Sequence, residues 1–198
     1  MSRTVDLERK PALLDQILDY LLDKPLSEMT FRTLARGIGV STYSLVYHFG
    51  TREELMRDIV GAISARARTI ENRLTSTEAT VATYLEGLEL SWEWAVEPRN
   101  RQLQRLEFEA GLLEAVGDGG GGIVRALFDH WQSIGRDALV GFGLTPEDAE
   151  VESRLIVGIF HGIQYDLVLN DDAGAATRAF RRALAQHAAA ITALIPAR

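Results

Sequence analysis

The chain has 198 residues, 46% hydrophobic and 25% charged, with no cysteine and a net charge of −7. This is an ordinary globular composition with enough chain for one large core or two small ones, and it excludes disulfides and thiolate metal sites. No run of about 18 uncharged apolar residues suggests a membrane span, and the charged start MSRTVDLERK lacks the apolar core of a secretory signal, so a cytoplasmic location is expected. The charge is uneven. Residues 1–56 hold seven Lys/Arg against eight Asp/Glu, and residues 57–198 hold fourteen against twenty. An acidic protein of this kind binds nucleic acid only through a local basic face, because phosphate contacts supply much of that affinity.

Taken in chain order, the pattern is helical throughout. Leu14, Ile17, Leu18 and Leu21 recur at helical spacing and predict a first helix, which Lys24-Pro25 ends. Thr30 can cap a short second helix, TFRTLARG, with Phe31, Leu34 and Ala35 on one side; Gly37 and Gly39 break it. The segment GVSTYSLVYHF follows. Thr51-Arg-Glu-Glu54 is a capping box that opens a helix to about Leu74, and Thr75-Ser-Thr-Glu78 is a second box opening a helix that stops at Pro98. In that helix Val81, Leu85, Leu88, Trp92 and Ala95 form one stripe, while Glu86, Glu89, Glu93 and Glu97 form a solvated one.

A further helix, from about Arg99 to Val116, ends in the glycines 117–122, too flexible to be helical. The next covers Ile123 to about Val140. Thr145-Pro146 opens a long apolar helix to about Asn170, with a hydroxyl cap followed by proline at the first helical position. Asp171-Asp172 caps an alanine-rich last helix to about Ile195. No alternating strand or repeat is present. The expected fold is all-α: a three-helix domain over residues 1–50, then a six-helix domain over 51–198.

The short segment has the physical requirements of a helix-turn-helix. Leu34, Ala35 and Val40 are sized for close packing, Gly39 suits a turn with positive φ, and Ser41 can cap the helix that follows. Leu45 and Phe49 face back to the core. Thr42, Tyr43, Ser44, Tyr47 and His48 then face outward, all able to form hydrogen bonds or touch a thymine methyl.

The stretch Thr30 to Leu55, TFRTLARGIGVSTYSLVYHFGTREEL, resembles the DNA-binding signature of the TetR family of transcriptional repressors. Thr30, Leu34, Ala35, Gly39, Val40, Ser41, Leu45, His48, Phe49, Arg52 and Leu55 match or nearly match. Three positions depart from the family's habit. Ile38 replaces a small alanine, Tyr43 a glycine and Val46 a tyrosine, so the operator contacts are expected to be this chain's own. The resemblance implies that Thr42, Tyr43, Ser44 and Tyr47 read bases. Thr30, His48 and Arg52 would hold phosphates, with Arg32 and Ser41 completing the DNA-binding set. Such contacts divide between positioning and sequence readout. Arg3, Arg9, Lys10 and Arg36 can add local charge.

The same resemblance implies that the body dimerises through its last two helices and binds a small-molecule effector. Val151, Leu155, Ile159, Ile163 and Leu167 give one stripe of the penultimate helix, where Gly158 and Gly162 permit close approach. Ala176, Phe180, Ala183, His187, Ile191 and Leu194 give a stripe of the last. Either stripe also suits an intramolecular core. Candidate ligand contacts are Trp92, Trp94, Phe108, Phe128, Trp131, His161, Gln164 and Tyr165, as pockets are mostly apolar with a few placed polar groups; each is equally readable as core.

Four scattered histidines, without a paired motif or nucleophile elbow, give no catalytic constellation, and neither a metal site nor a cofactor is expected. The functional reading is a homodimeric repressor that binds a near-palindromic operator and is released by a small-molecule effector. The alternatives are a DNA-binding regulator without an effector, and a helical small-molecule-binding protein or enzyme.

Overall fold

The computed structural model describes residues 3–65, 80–117 and 122–196. Among them are nine α-helices and no strand: α1 Arg3–Leu21, α2 Phe31–Ile38, α3 Thr42–Phe49, α4 Arg52–Ala65, α5 Val81–Val96, α6 Pro98–Val116, α7 Ile123–Gly141, α8 Pro146–Asn170 and α9 Ala173–Leu194. A 3-10 turn spans Leu26–Glu28. The all-α expectation holds. The helices fall into two compact units, residues 1–65 with 102–124, and residues 66–101 with 125–198. That division is not a cut after residue 50, because α4 and most of α6 group with the first three helices.

In the first unit, Leu13, Ile17, Leu18 and Leu21 of α1 are buried with Leu34, Ala35, Leu45, Phe49, Leu55 and Ile59. Leu13 rather than Leu14 lies on the inner face. Thr30 caps α2 in a box with Thr33, the hydroxyl of each accepting the other's backbone amide. Gly37 does not end α2. A Cβ there would come within 2.1 Å of the Tyr20 ring, so the glycine admits the close approach of α1. The helix ends at Gly39, whose φ of 72° is left-handed and favours glycine.

The inclusion of α6 has a specific cause. The Arg105 guanidinium donates to the carbonyls of Leu21 (2.8 Å) and Leu22 (3.3 Å) at the end of α1, where a cation also suits the helix dipole. Glu109 accepts the Leu26 amide and pairs with Arg105. This clamp joins residues more than 80 apart in sequence, a distance no helical period reveals.

The second unit has two apolar clusters. One gathers Tyr84, Ile134, Leu139, Leu144, Ala149 and Ile191; the other gathers Trp92, Leu167, Ala176 and Phe180. Thr145 and Asp172 cap α8 and α9 as expected, by accepting the amides of Asp148 and Ala175. The cap of α5 is Thr80, paired with Thr83, and so α5 begins at Val81. The Thr75–Glu78 box, the end of the Thr51 helix beyond Ala65, and most of the glycine run lie outside the described residues. The α9 stripe of Ala176, Phe180, His187 and Ile191 is buried within the chain, so it is core and only Leu194 of that stripe's large residues is exposed.

Candidate nucleic-acid interface and ligand contacts

The local sequence fixes α3 on both sides. Ser41 Oγ accepts the Ser44 amide at 3.0 Å, while Thr51 and Glu54 close a reciprocal box at the start of α4. That box holds the Glu54 carboxyl below its usual range, chiefly through the Thr51 amide. Between these caps Leu45 and Phe49 are buried, and Lys10 lies 5.5 Å above the Phe49 ring. The outward side carries Tyr43 at 79% and Tyr47 at 63% exposure. Their rings stack at 6.4 Å, and Tyr47 meets His48 edge-on at 5.1 Å.

Thr42 is exposed beside Tyr43, and Ser44 and His48 are half-buried. Thr30, Arg32, Arg36, Ser41 and Arg52 are exposed in the same unit. The hydroxyl of Ser41 acts as a cap acceptor, which leaves its hydrogen to donate. Arg52 Nε donates to the Met29 carbonyl at 3.4 Å, steadying an exposed guanidinium beside α2. The unit thus exposes hydroxyl and phenol groups on α3 and arginines on α2 and α4, the residue types suited to groove readout and phosphate positioning.

The expected ligand contacts separate. Phe108 is in the first unit, half-buried on α6; the others are in the second. There Phe128 lies 4.2 Å from the His161 ring, His161 is 6.0 Å from Phe160, and Phe160 meets Trp92 edge-on at 5.9 Å. Trp92 stacks on Phe180 at 4.7 Å and donates Nε1–H to Thr177 at 3.0 Å. His161 donates from Nδ1 to the Val157 carbonyl, and burial lowers its pKa. Gln164 is buried on the same helix, with an Oε1 that makes no hydrogen bond. Trp94 and Trp131 are half-buried, Trp131 against the Tyr84 cluster.

Tyr165 lies elsewhere. It is exposed on the outer side of α8, on one stripe with Val151, Leu155, Gly158, Ile159, Gly162 and Leu169. The predicted stripe drifted inward at Ile163 and Leu167 because a strict spacing of four outruns 3.6 residues per turn. Leu167 is core.

Sequence reasoning missed two features. Glu152, His187 and Tyr84 form a chain in the second unit: His187 Nδ1 donates to Glu152 at 3.1 Å, and the Tyr84 hydroxyl donates to Nε2 at 3.2 Å. Burial raises the Tyr84 pKa and lowers that of His187, against the pull of Glu152. A buried phenol held to its proton ties helices together and is a poor nucleophile. The only hint was a histidine within an apolar stripe. The second feature is Glu107, buried on α6 with its carboxyl pushed up to about 7 by burial. Among the described residues, no group of three or more His, Asp or Glu could hold a metal ion, and no helix is long and apolar enough to cross a membrane.

No family model and no curated protein matches the chain. Solved structures do. A TetR-like transcriptional regulator from Rhodococcus sp. has 17% identity and a TM-score of 0.68, covering 97% of this chain and 96% of that one. The secondary repressor of the MexAB-OprM multidrug efflux pump in Pseudomonas aeruginosa has 14% identity and a TM-score of 0.67, covering 91% and 95%. A TetR variant from Acinetobacter baumannii, solved in complex with minocycline, has 17% identity and a TM-score of 0.62, covering 94% and 98%. The likeness covers more than nine-tenths of the chain, so the chain has the fold of the TetR family of transcriptional regulators.

Proposed function

We propose that the protein is a homodimeric, cytoplasmic transcriptional repressor that binds a near-palindromic operator and is released by a small-molecule effector. The observation that carries this reading is α3. It is an eight-residue helix anchored by Leu45 and Phe49, with Tyr43 and Tyr47 held out into solvent. Large exposed aromatics contribute nothing to a core, whereas a groove-reading helix needs such groups. Thr42, Tyr43, Ser44 and Tyr47 read bases; Thr30, Arg32, Ser41, His48 and Arg52 hold phosphates.

Two copies are needed to place recognition helices about one DNA turn, roughly 34 Å, apart. The exposed stripe of Val151, Leu155, Ile159, Tyr165 and Leu169 supports α8 as the pairing face, with Gly158 and Gly162 open to close approach. Tyr165 therefore serves the dimer rather than the effector. Within the second unit, Trp94, Phe128, Trp131, His161 and Gln164 are the effector contacts, and within the first, Phe108; Trp92, enclosed against Phe180, is core. Release requires that the effector bind two conformations with different affinity. In this reading the helix that opens at Thr51, α4, is the lever that carries release to the helix-turn-helix, and α6, clamped to the end of α1, joins it.

The test is selection of genomic fragments by the intact protein, followed by mobility shifts. A near-palindromic site upstream of its own gene is expected. Failure to retain any DNA from that region sinks the repressor reading.

A further inference from the structure

Helix α6 has one satisfied side and one unsatisfied side. On the first, Arg105 and Glu109 bind each other, the end of α1 and the Leu26 amide. On the other, Gln104 and Glu107 are only 8% and 5% exposed. Gln104 Oε1 is shielded from water and makes no hydrogen bond. No described residue donates to or pairs with the Glu107 carboxyl, on which burial is the sole influence.

The two residues are one turn apart and project on the same side of the helix. Half-buried Phe108 and Gly111 complete that face; a Cβ at Gly111 would meet Val124 at 3.2 Å, so Val124 closes its far end. A buried acceptor without a donor lowers stability, and so does a carboxyl group buried beside it. An apolar pair of the same volume would serve a core better. An anion would meet the Glu107 carboxylate, which repels it, whereas a cationic donor meets an open amide oxygen and a carboxylate.

We propose that Gln104 and Glu107 form an acceptor subsite for a small molecule bearing a protonated amine, whose apolar part rests on Phe108. The inference rests on the effector-binding reading above and names the chemical class of the effector. An ammonium supplies three donors, enough for the amide oxygen and both carboxylate oxygens, and its charge compensates the ionised carboxylate that the empty site disfavours. The surplus of acidic residues beyond position 56 draws the same class of molecule.

The test uses the full-length protein at pH 7.5 and three probes of one chain length, octylamine, octanol and octanoate, measured by titration calorimetry. Octylamine is expected to bind at least 10-fold more tightly than octanol, and octanoate no more tightly than octanol. Glu107→Gln, which keeps shape and removes charge, should bring octylamine to within 2-fold of octanol. Gln104→Met should weaken octylamine relative to octanol. Absence of binding by all three, equal binding of octanoate, or a preference that survives Glu107→Gln overturns the subsite.

Mobility shifts with the upstream DNA separate this outcome from the wider reading. If octylamine binds with the expected preference but leaves the protein–DNA complex intact, the subsite stands and effector release fails. If another ligand releases DNA equally from wild type and Glu107→Gln, effector release stands and the subsite fails.

Discussion

Helices α3 and α5 both carry large aromatic side chains, and they place them oppositely. On α3, Tyr43 and Tyr47 stack on each other in solvent. On α5, Trp92 and Tyr84 are enclosed, stacked on Phe180 or bonded to His187. The difference follows from what lies behind each helix. Helix α3 is two turns long and buries one narrow stripe, Leu45 and Phe49; its other side is largely exposed. Helix α5 is enclosed on more of its circumference, so its aromatics become the core and its polar tips must find partners. The exposed aromatics on α3 are thus free of a core role and open to the proposed DNA contact, and the enclosed ones mark stability on α5.

Substitutions can break that contrast. The largest effect is expected from Trp92→Ala, which should lower the unfolding free energy by about 3–5 kcal/mol in chemical denaturation. A loss below about 1 kcal/mol would mean that Trp92 lines a space rather than fills a core. Next is Glu107→Gln, which should raise stability above pH 7 by roughly 3 kcal/mol. The sign follows from an acid whose carboxyl moves from 4.5 to about 7 on folding. The folded chain holds that proton more tightly, so the penalty is absent below 4.5 and complete above 7. Denaturation midpoints of the variant and wild type should thus converge in acid.

Arg105→Met should cost about 2 kcal/mol by removing charged hydrogen bonds to the Leu21 and Leu22 carbonyls. It should also weaken effector control of DNA binding more than DNA binding itself, as read by mobility shift with and without effector. His187 behaves opposite to Glu107: burial lowers its pKa, so its neutral form is favoured in the fold. Its contribution is present above about pH 6.5 and fades as pH falls toward the lower folded value; His187→Gln should flatten that acid limb. The smallest stability effect belongs to the Tyr43→Ala, Tyr47→Ala double variant, within about 0.5 kcal/mol. Yet operator affinity should fall at least roughly 10-fold. Unchanged DNA binding would remove both tyrosines from the interface.

Features governed by neighbouring residues were legible in the sequence. The caps at Thr30, Ser41, Thr51, Thr145 and Asp172 form as expected, because a hydroxyl or carboxylate three residues before an orphan amide needs no tertiary help. The two faces of α3 were legible for the same reason: Leu45 and Phe49 are separated by one turn. The α9 stripe was visible as a stripe, but whether it faced a partner or its own chain was not. Apolar periodicity states that a face is covered and is silent about what covers it.

By itself, the sequence determined the helical character of the described residues, the caps at Thr30, Ser41, Thr51, Thr145 and Asp172, the left-handed turn at Gly39 and the outward Tyr43 and Tyr47 on α3, all set within about two turns of chain. Only the tertiary structure decided that α6 belongs with the helix-turn-helix, that Tyr165 faces outward, and that Gln104 and Glu107 are buried, the former with an amide oxygen that makes no hydrogen bond. Those outcomes depend on contacts between residues far apart in the chain. Arg105 reaches Leu21 and Glu109 reaches Leu26 across more than 80 positions, and no local rule fixes which side of α6 such a contact leaves unsatisfied.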